Sequence, residues 1–262
     1  MGTNSIKEQL PHQIKSLLRV EDGVANQVEE SVITEASITL HVNGEDWLTF
    51  LCTPLEIEEL AAGFLFTARF IQSATEIASS RVCENGSVVD LWLTHTVEKP
   101  RLWQKNSGCS GGVSAPDLQL PPIPPSSRFN LDLQQINSIL AEFYQSQSLY
   151  RVSGGLHSAA LFSGTHLVYG AEDIGRHNTL DKIAGKLLLT GEDLTQRVLV
   201  STGRVSLEMM QKAAALQSPF VISRTSPTSA SVELAEQMGI TLIGYANGSR
   251  LKIYTHPESI LF

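Results

Sequence analysis

RVLVSTGRVSLEMMQKAAALQSPFVISRTSPTSASVELAEQMGITLIGYA, residues 197 to 246, decides the fold. Three short apolar runs, RVLVST, FVISRT and ITLIGYA, alternate here with two amphipathic segments, SLEMMQKAAALQ and SASVELAEQMG. Strands that alternate with helices predict a sheet covered by helices, in which ligands bind at the carboxyl ends of the strands. The pattern extends outward to strands HSAALFS and HLVYGAED, helices NLDLQQINSILAEFYQ and NTLDKIAGKLLL, and a final RLKIYTH.

The first part of the chain shows an α+β pattern instead. The pair Asn43-Gly44 lies between alternating segments and predicts a tight hairpin, and Asn85-Gly86 repeats that signal. The stretch TPLEIEELAAGFLFTARF predicts a helix. In it Thr53 caps the first turn, Pro54 takes the first helical position and Glu56 closes a capping box.

Between about residues 99 and 128 the chain is rich in glycine and proline, which predicts a long surface loop that joins the two halves. We therefore predict an α/β protein with a smaller N-terminal α+β domain over residues 1–128 and a C-terminal α/β/α domain over residues 129–262. The sequence SGCSGG, residues 107 to 112, places Cys109 on that loop.

The overall composition excludes several classes of protein. A net charge of -8 gives no general reason to bind nucleic acid. The start of the chain lacks a signal-peptide core and no later run reaches membrane-spanning length, so we expect a soluble, cytoplasmic protein with no membrane partner. Three cysteines are too few for a disulfide framework or a cysteine-rich zinc site, so a special cysteine must act as a thiol.

Polar side chains cluster where two predicted strands end. The first cluster is Ser201, Gly203 and Arg204, and the second is Ser223, Thr225, Ser226 and Thr228. Amides at a helix start favour anions, hydroxyls donate hydrogen bonds and arginine grips phosphate, so two such clusters in one sheet favour a phosphate site. The alternative is ordinary helix capping, which serine and threonine provide in many proteins.

A third cluster, EDIGRHN at 172 to 178, packs charged and amide side chains into a junction between a strand and a helix. We expect Asp173, Arg176, His177 and Asn178 to line a pocket and hold the edges of a ligand. A salt-bridged cap with a structural histidine is the alternative. The combined hydrogen-bonding capacity of these side chains exceeds what one cap requires.

Several motifs, taken in order, resemble the formate dehydrogenase accessory sulfurtransferase family, the FdhD-type proteins. They are CTPLEIEELAAGFL, SGCSGG, SGGLHSAAL, EDIGRHNTLDKIAG, STGRVSLEMMQKAA, SRTSPTSASVELAEQMGITLIGYA and YTHP. The resemblance implies a sulfur carrier that takes persulfide sulfur from a cysteine desulfurase and delivers it to the bis-molybdopterin guanine dinucleotide cofactor of formate dehydrogenase. It also implies a homodimer and a C-terminal domain similar in fold to cytidine deaminases.

Persulfide carriage requires an exposed cysteine that reaches two partners in turn, and a glycine-flanked loop provides both conditions for Cys109. The family commonly has C-x-x-C here, and Gly112 occupies the second position, which leaves no neighbouring thiol to resolve a persulfide. Cys52 and Cys83 fit packing roles on a strand and a hairpin. A chaperone that holds the cofactor without moving sulfur is therefore the alternative.

A zinc hydrolase, suggested by the deaminase-like fold, is poorly supported. Zinc deaminases need a ligand two residues before a glutamate and a later P-C-x-x-C. His157 and His177 lack that glutamate and the chain contains no C-x-x-C. We expect no intrinsic metal.

The last candidate segment is YANGSR, which consists of Tyr245, Ala246, Asn247, Gly248, Ser249 and Arg250. It follows an apolar strand and matches the stretch that, by resemblance, contacts the guanine dinucleotide, for which GDP is a possible mimic. An Asn-Gly turn presents amides to an anion, tyrosine offers a stacking face and arginine a charged fork. The alternative is a plain hairpin turn, and both interpretations are compatible.

Overall fold

The computed structural model describes residues 10–83, 86–100, 104–105, 113–114, 120–248 and 250–262. Cys109, Gly112 and Ser249 lie outside this part of the chain, as does Asn85 of the second predicted hairpin turn.

A four-stranded sheet, a separate two-stranded hairpin and one α-helix form the N-terminal half. The strands are β1 (His12–Glu21), β2 (Val24–Ile33), β3 (Ala36–Val42), β4 (Glu45–Cys52), β5 (Ile77–Val82) and β6 (Val88–Leu93), and the helix is α1 (Ile57–Thr67). Strands β4, β3, β6 and β5 are hydrogen-bonded in that order, whereas β1 and β2 pair only with each other. A 3-10 helix spans Ala74–Glu76. Alternate residues of β3 are buried, and with α1 they form one apolar core.

The connecting region contributes two short paired strands, β7 (Gln104–Lys105) and β8 (Val113–Ser114). The surface-loop prediction holds only in part for the described residues that follow. Leu120 and Ile123 are buried in the core beneath the C-terminal sheet, and the Ile123 amide donates to the carbonyl of Met238. Two apolar residues among the prolines therefore tie the end of this region to the C-terminal half. A boundary at 128 stays a prediction.

The C-terminal half is built on a six-stranded sheet. After β9 (Leu131–Asp132) come α2 (Leu133–Ser146), α3 (Ser148–Ser153), β10 (His157–Ser163), β11 (His166–Asp173), α4 (Arg176–Thr190), β12 (Arg197–Ser201), α5 (Leu207–Ala215), β13 (Phe220–Ser223), α6 (Ser229–Met238), β14 (Thr241–Asn247), β15 (Arg250–Ile253) and β16 (Ile260–Leu261). The strand order is β11-β10-β12-β13-β14-β15, with β12, β13 and β14 parallel. Two further 3-10 helices span Pro125–Ser127 and Pro257–Ser259.

Helices cover both faces of this sheet, which confirms the predicted α/β/α arrangement. One apolar core joins the sheet to α4, α5 and α6, and a second joins its other face to α2. The short strand β9 pairs with β16, so the end of the chain returns to the start of α2. Every helix predicted for this half is present, and α3 is an addition that the periodicity did not indicate.

Helices α1 and α4 cross closely and join the two halves. Gly63 and Gly185 lie at the crossing, where an added Cβ on either would overlap backbone atoms of the opposite helix. Beside it, the buried Asp181 carboxylate accepts from Lys212 at 2.6 Å and from the Thr67 hydroxyl at 2.6 Å. Glycine at both positions lets the backbones approach, and a paired buried charge fixes their relative position.

Candidate functional site

The predicted clusters meet at one edge of the six-stranded sheet. His157 begins β10 opposite Asp173, the last residue of β11, and Ser201 pairs with Ser223 at the ends of β12 and β13. The Tyr245 amide donates to the carbonyl of Thr225, which brings β14 to the same edge. The topology therefore assembles the strand ends as the alternation predicts, and we call this region the carboxyl edge.

Asp173 is fully buried, and its carboxylate organises the junction rather than pointing to solvent. Lys182 lies 2.6 Å away as a buried ion pair, the Thr53 amide donates at 3.0 Å and the Asn178 amide group at 2.8 Å. Asn178 also donates to the carbonyl of Leu51 at 2.8 Å. These bonds fasten the end of β4 to the start of α4, so the N-terminal half forms one wall of the junction.

The start of α1 departs from the predicted capping box. The helix begins at Ile57, and Glu56 occupies the N-cap position in a left-handed conformation with φ 55°, without a side-chain cap. Thr53 precedes the helix, and its amide is used by Asp173. The Glu56 carboxylate instead pairs with Lys186 at 2.6 Å. The capping-box prediction is wrong because long-range partners on β11 and α4 take both groups.

Arg176 is buried at the start of α4 and packs against Gly203 of the first strand-end cluster. A Cβ on residue 203 would lie 2.9 Å from the Cβ of Arg176 and 3.1 Å from its Cδ. Glycine at this position is thus what allows the arginine to lie across the end of β12. The contact joins two of the three predicted clusters.

His177 is 4 % exposed, and neither ring nitrogen has a hydrogen-bond partner among the described residues. Burial, together with the nearby charges of Lys212 and Arg176, lowers the pKa of the imidazole to about 3. Burial and the charge of Arg176 also lower the pKa of His157. The carboxyl edge therefore holds a neutral His177 close to Lys212 and Arg176.

His157 belongs to this site, although we did not single it out as a site residue from the sequence. It is half-buried at the start of β10, and its electrostatic neighbours are Arg176, Asp173 and Arg204. Because β10 runs antiparallel to β12, the first residue of β10 lies at the carboxyl edge. The direction of β10 would therefore have identified His157. Periodicity identified the strand but not its direction.

The serine and threonine clusters have partners within the protein. The Ser201 hydroxyl accepts from the Gly203 amide, and the Ser223 hydroxyl donates to the Gly203 carbonyl and accepts from the Thr225 amide. Thr228 caps α6 by accepting from the Ser231 amide at 3.3 Å, as the alternative interpretation expects. Arg204 is exposed and Ser226 half-buried. Phosphate binding by these clusters stays a prediction.

Residues 245–248 and Arg250 lie at the tip of the hairpin between β14 and β15. Asn247 pairs with Arg250 across the turn between β14 and β15, so Gly248, not Asn247, enters the turn. Tyr245 is 45 % exposed in a left-handed conformation, and Lys252 lies over its ring at 4.5 Å from the centroid. Ala246 is buried, whereas Arg250 is exposed. The hairpin interpretation is confirmed, and ligand binding by its tip stays a prediction.

Comparison with known proteins completes this description. A family model described as the FdhD/NarQ family matches residues 33–261. The chain belongs to this family. Sulfur carrier protein FdhD of Listeria innocua is 31 % identical over 250 residues, which cover 92 % of this chain and 96 % of the relative. That of Bacillus subtilis is 31 % identical over 253 residues, with 94 % and 97 % covered.

A solved structure has the same fold. The crystal structure of a putative formate dehydrogenase accessory protein from Desulfotalea psychrophila matches this FdhD/NarQ family member with a TM-score of 0.82. The identity is 26 %, and the match covers 96 % of this chain and 100 % of the other.

The two described cysteines of this family member differ in the burial of their thiols. Cys52 is fully buried, and burial together with the charge of Asp173 raises the pKa of its thiol to about 12. The sulfur of Cys83 accepts from the Val88 amide at 3.1 Å within its hairpin. Cys52 fills the packing role expected of it, whereas that of the half-buried Cys83 stays a prediction. Cys109 lies outside the described residues.

The described residues hold no group of three or more histidine, cysteine or acidic side chains placed to bind a metal ion. Nor does this part of the chain contain a helix both long and apolar enough to cross a membrane.

Proposed function

We propose that this protein is a sulfur carrier that takes sulfur as a persulfide on Cys109 and passes it to the bis-molybdopterin guanine dinucleotide cofactor of formate dehydrogenase. Two curated relatives are named sulfur carrier protein FdhD, and the related crystal structure is a putative formate dehydrogenase accessory protein. The proposal makes the protein a sulfurtransferase of the cytoplasm whose partners are a cysteine desulfurase and formate dehydrogenase.

The observation that carries the proposal is the burial and local environment of the other two cysteines. A thiol with a pKa near 12 has almost no thiolate at neutral pH, and Cys52 is also out of reach of any partner. Cys83 lies in the backbone pairing of a hairpin. Of the remaining two cysteines, Cys109 is the one in a glycine-rich setting, and the Cys83→Ser variant separates its role from that of the half-buried Cys83.

Loading needs only one thiol. The Cys109 thiolate attacks the outer sulfur of the donor's persulfide, a new sulfur–sulfur bond forms, and the donor cysteine leaves as its thiolate. Delivery breaks the new bond: Cys109 keeps the bonding pair and returns to the thiolate, and the transferred sulfur becomes a sulfido ligand by taking two electrons from the reduced metal of the recipient cofactor. Gly112 in place of a second cysteine removes the intramolecular route by which a neighbouring thiol would expel the sulfur.

Within this proposal the carboxyl edge and the hairpin tip at 245–250 bind the nucleotide portion of the cofactor. Arg176 and Arg204 provide positive charge at that edge, and Tyr245 and Arg250 are exposed at the tip. Asp173 and Asn178, whose polar groups are used by β4 and Lys182, act by holding the junction. GDP is the soluble mimic with which to measure this binding.

Intact mass tests the sulfur-carrying step directly. The protein is incubated with a cysteine desulfurase and L-cysteine, and we expect wild type and the matched Cys83→Ser control to gain one sulfur atom that a thiol reductant removes. Cys109→Ser should keep its fold and gain none. Loading of Cys109→Ser would remove this cysteine from the mechanism, and a wild type that binds GDP but never loads would favour the chaperone alternative.

A further inference from the structure

A cavity of about 400 Å³ lies beside the outer edge of β11, where α2 meets α3 and the segment before α1 passes. We call it the edge-strand cavity. Its lining includes Leu55, Glu56, Phe143, Gln147, Ser158 and Glu172. Its volume is within the range, about 300–1,000 Å³, of sites that bind small molecules. No local sequence pattern indicates this cavity, because its walls come from four distant segments.

Gln147 is the feature of this cavity that points to a ligand. The residue sits between the last turn of α2 and the first of α3, is 4 % exposed, and its Nε2 has no hydrogen-bond partner among the described residues. An unpaired buried amide donor is unfavourable because it has lost its hydrogen bonds to water without a replacement. A ligand that places an acceptor oxygen against this amide offsets that cost.

Glu56 provides an acceptor in the same cavity. Its backbone is left-handed, and its carboxylate is held by one bond from Lys186 at 2.6 Å. A carboxylate has about four acceptor positions, so Glu56 retains capacity for ligand N–H groups. Glu172 differs, because its two oxygens already accept from the Leu149 and Tyr150 amides at 2.8 Å and cap α3.

The remaining walls are largely apolar and limit the class of ligand. Phe143, Leu55 and Leu167 offer hydrocarbon surface, with the Ser158 hydroxyl among them. An anion would meet the carboxylates of Glu56 and Glu172, whereas a simple cation would leave the Gln147 donor unpaired. The pattern instead suits a flat, uncharged ring that carries a carbonyl oxygen beside N–H donors.

We propose that the edge-strand cavity binds a 2-amino-4-oxo heterocycle, with its carbonyl oxygen on the Gln147 amide and its N–H edge on Glu56. Guanine and pterin rings share this edge, and the assignment rests on the proposed function, whose substrate contains both. Ser158 is adjacent in sequence to His157, and Glu172 to Asp173, which both belong to the carboxyl edge. Strands β12 and β13 separate β10 from β14, a distance of about 14 Å, so the cavity is separate from the hairpin tip.

Binding of neopterin, followed by its fluorescence, and of GDP, followed by calorimetry, tests this inference. We expect Gln147→Met to weaken at least one probe about tenfold, the effect of a lost hydrogen bond, while the exposed neighbour Gln145→Met binds as wild type. Glu56→Gln is the second variant, should Gln147→Met fold poorly. The probe that weakens identifies the ring as pterin or guanine.

The inference is overturned if neither probe binds wild type, or if both bind Gln147→Met and Glu56→Gln as tightly as wild type. Persulfide loading is measured on the same samples. Normal loading with no ring binding in the cavity rejects this inference alone, whereas absent loading with intact ring binding rejects the sulfur-carrying proposal alone.

Discussion

His177 is a buried imidazole kept neutral by its surroundings. The ring lies near Lys212 and Arg176, and its depressed pKa makes it a poor proton acceptor at neutral pH. It can still donate and accept hydrogen bonds, because a neutral imidazole has one nitrogen of each kind. We therefore expect His177 to take part in recognition of an uncharged ligand edge rather than in activation of the Cys109 thiol.

The depressed pKa has a consequence for stability. The unfolded chain protonates this histidine below about pH 6.5, whereas the folded protein does so only near a pKa of about 3, so its contribution is lost as pH falls through that window. Between about pH 7.5 and about pH 5 the loss is roughly 2 kcal/mol at about 1.4 kcal/mol per pH unit.

His177→Gln should remove this loss. The free energy of unfolding is measured with denaturant at both pH values. Its decrease from the higher to the lower pH should be about 2 kcal/mol smaller in this variant than in wild type. The exposed His166→Gln serves as the control and should keep the wild-type fall. An identical fall in all three proteins would mean that His177 is not held neutral in the fold.

Arg250 offers the second prediction at the residue scale. Its side chain is exposed at the hairpin tip, so Arg250→Ala should weaken GDP binding by about 1–3 kcal/mol, the size of a charge-assisted hydrogen bond, and leave stability unchanged. Calorimetry measures the affinity, with Arg81→Ala on the exposed side of β5 as the control. Wild-type affinity in a folded Arg250→Ala protein would take the tip out of the site.

At the scale of elements, the crossing of α1 and α4 determines how the two halves fit. Gly63→Ala places a Cβ into the backbone of α4 at Asp181, so we expect a loss of about 3 kcal/mol in the free energy of unfolding, toward the upper range for overpacking. Gly170→Ala on β11 meets no atom within 4 Å and should be nearly neutral. Thermal unfolding of both variants checks this, and equal melting temperatures would mean that the crossing is looser than described.

Short sequence patterns predicted those turns whose conformation depends on adjacent residues alone. Asn43 and Gly44 both have positive φ and join β3 to β4, as the favoured chemistry of a two-residue turn requires. Asp22-Gly23 joins β1 to β2 through the same conformations, a signal that we did not use. The Glu56 capping box failed because Lys186, 130 positions away, takes the carboxylate, and no local pattern contains that information.

At the scale of the whole molecule, the β1–β2 hairpin lies outside both larger sheets. Leu18 and Val20 on β1 are 65 % and 62 % exposed, and an isolated two-stranded hairpin is marginally stable in water. A second copy of the chain is the partner we propose for this apolar surface, in keeping with the homodimer that the resemblance implies.

Negative charges introduced on the apolar surface of β1 test whether the protein is a homodimer. We expect the double change Leu18→Glu and Val20→Glu to convert a dimer into a monomer in light scattering coupled to gel filtration, because buried carboxylates are costly in an apolar interface. Leu189→Glu, also at an exposed leucine, should remain dimeric. A wild-type monomer, or an undisturbed dimer in the double variant, would assign the hairpin another role.

The candidate site was predictable where strand ends determine it. Alternation of strands and helices was enough to place Ser201, Ser223 and Asp173 at one edge, since parallel strands end together. The sequence could not show that Asp173 is used by Lys182 and Thr53, because those partners depend on how the N-terminal half packs. The edge-strand cavity was unpredictable for the same reason.

The most direct test of the central claim follows one sulfur atom from donor to recipient. The protein is loaded by a desulfurase with cysteine that is radiolabelled on sulfur, freed of small molecules, and mixed with formate dehydrogenase whose unsulfurated cofactor is in the reduced state. We predict that label leaves the wild-type protein, appears on the cofactor and restores formate oxidation, whereas Cys109→Ser transfers none. Restored activity with label still on the protein, or transfer by Cys109→Ser, would contradict the account.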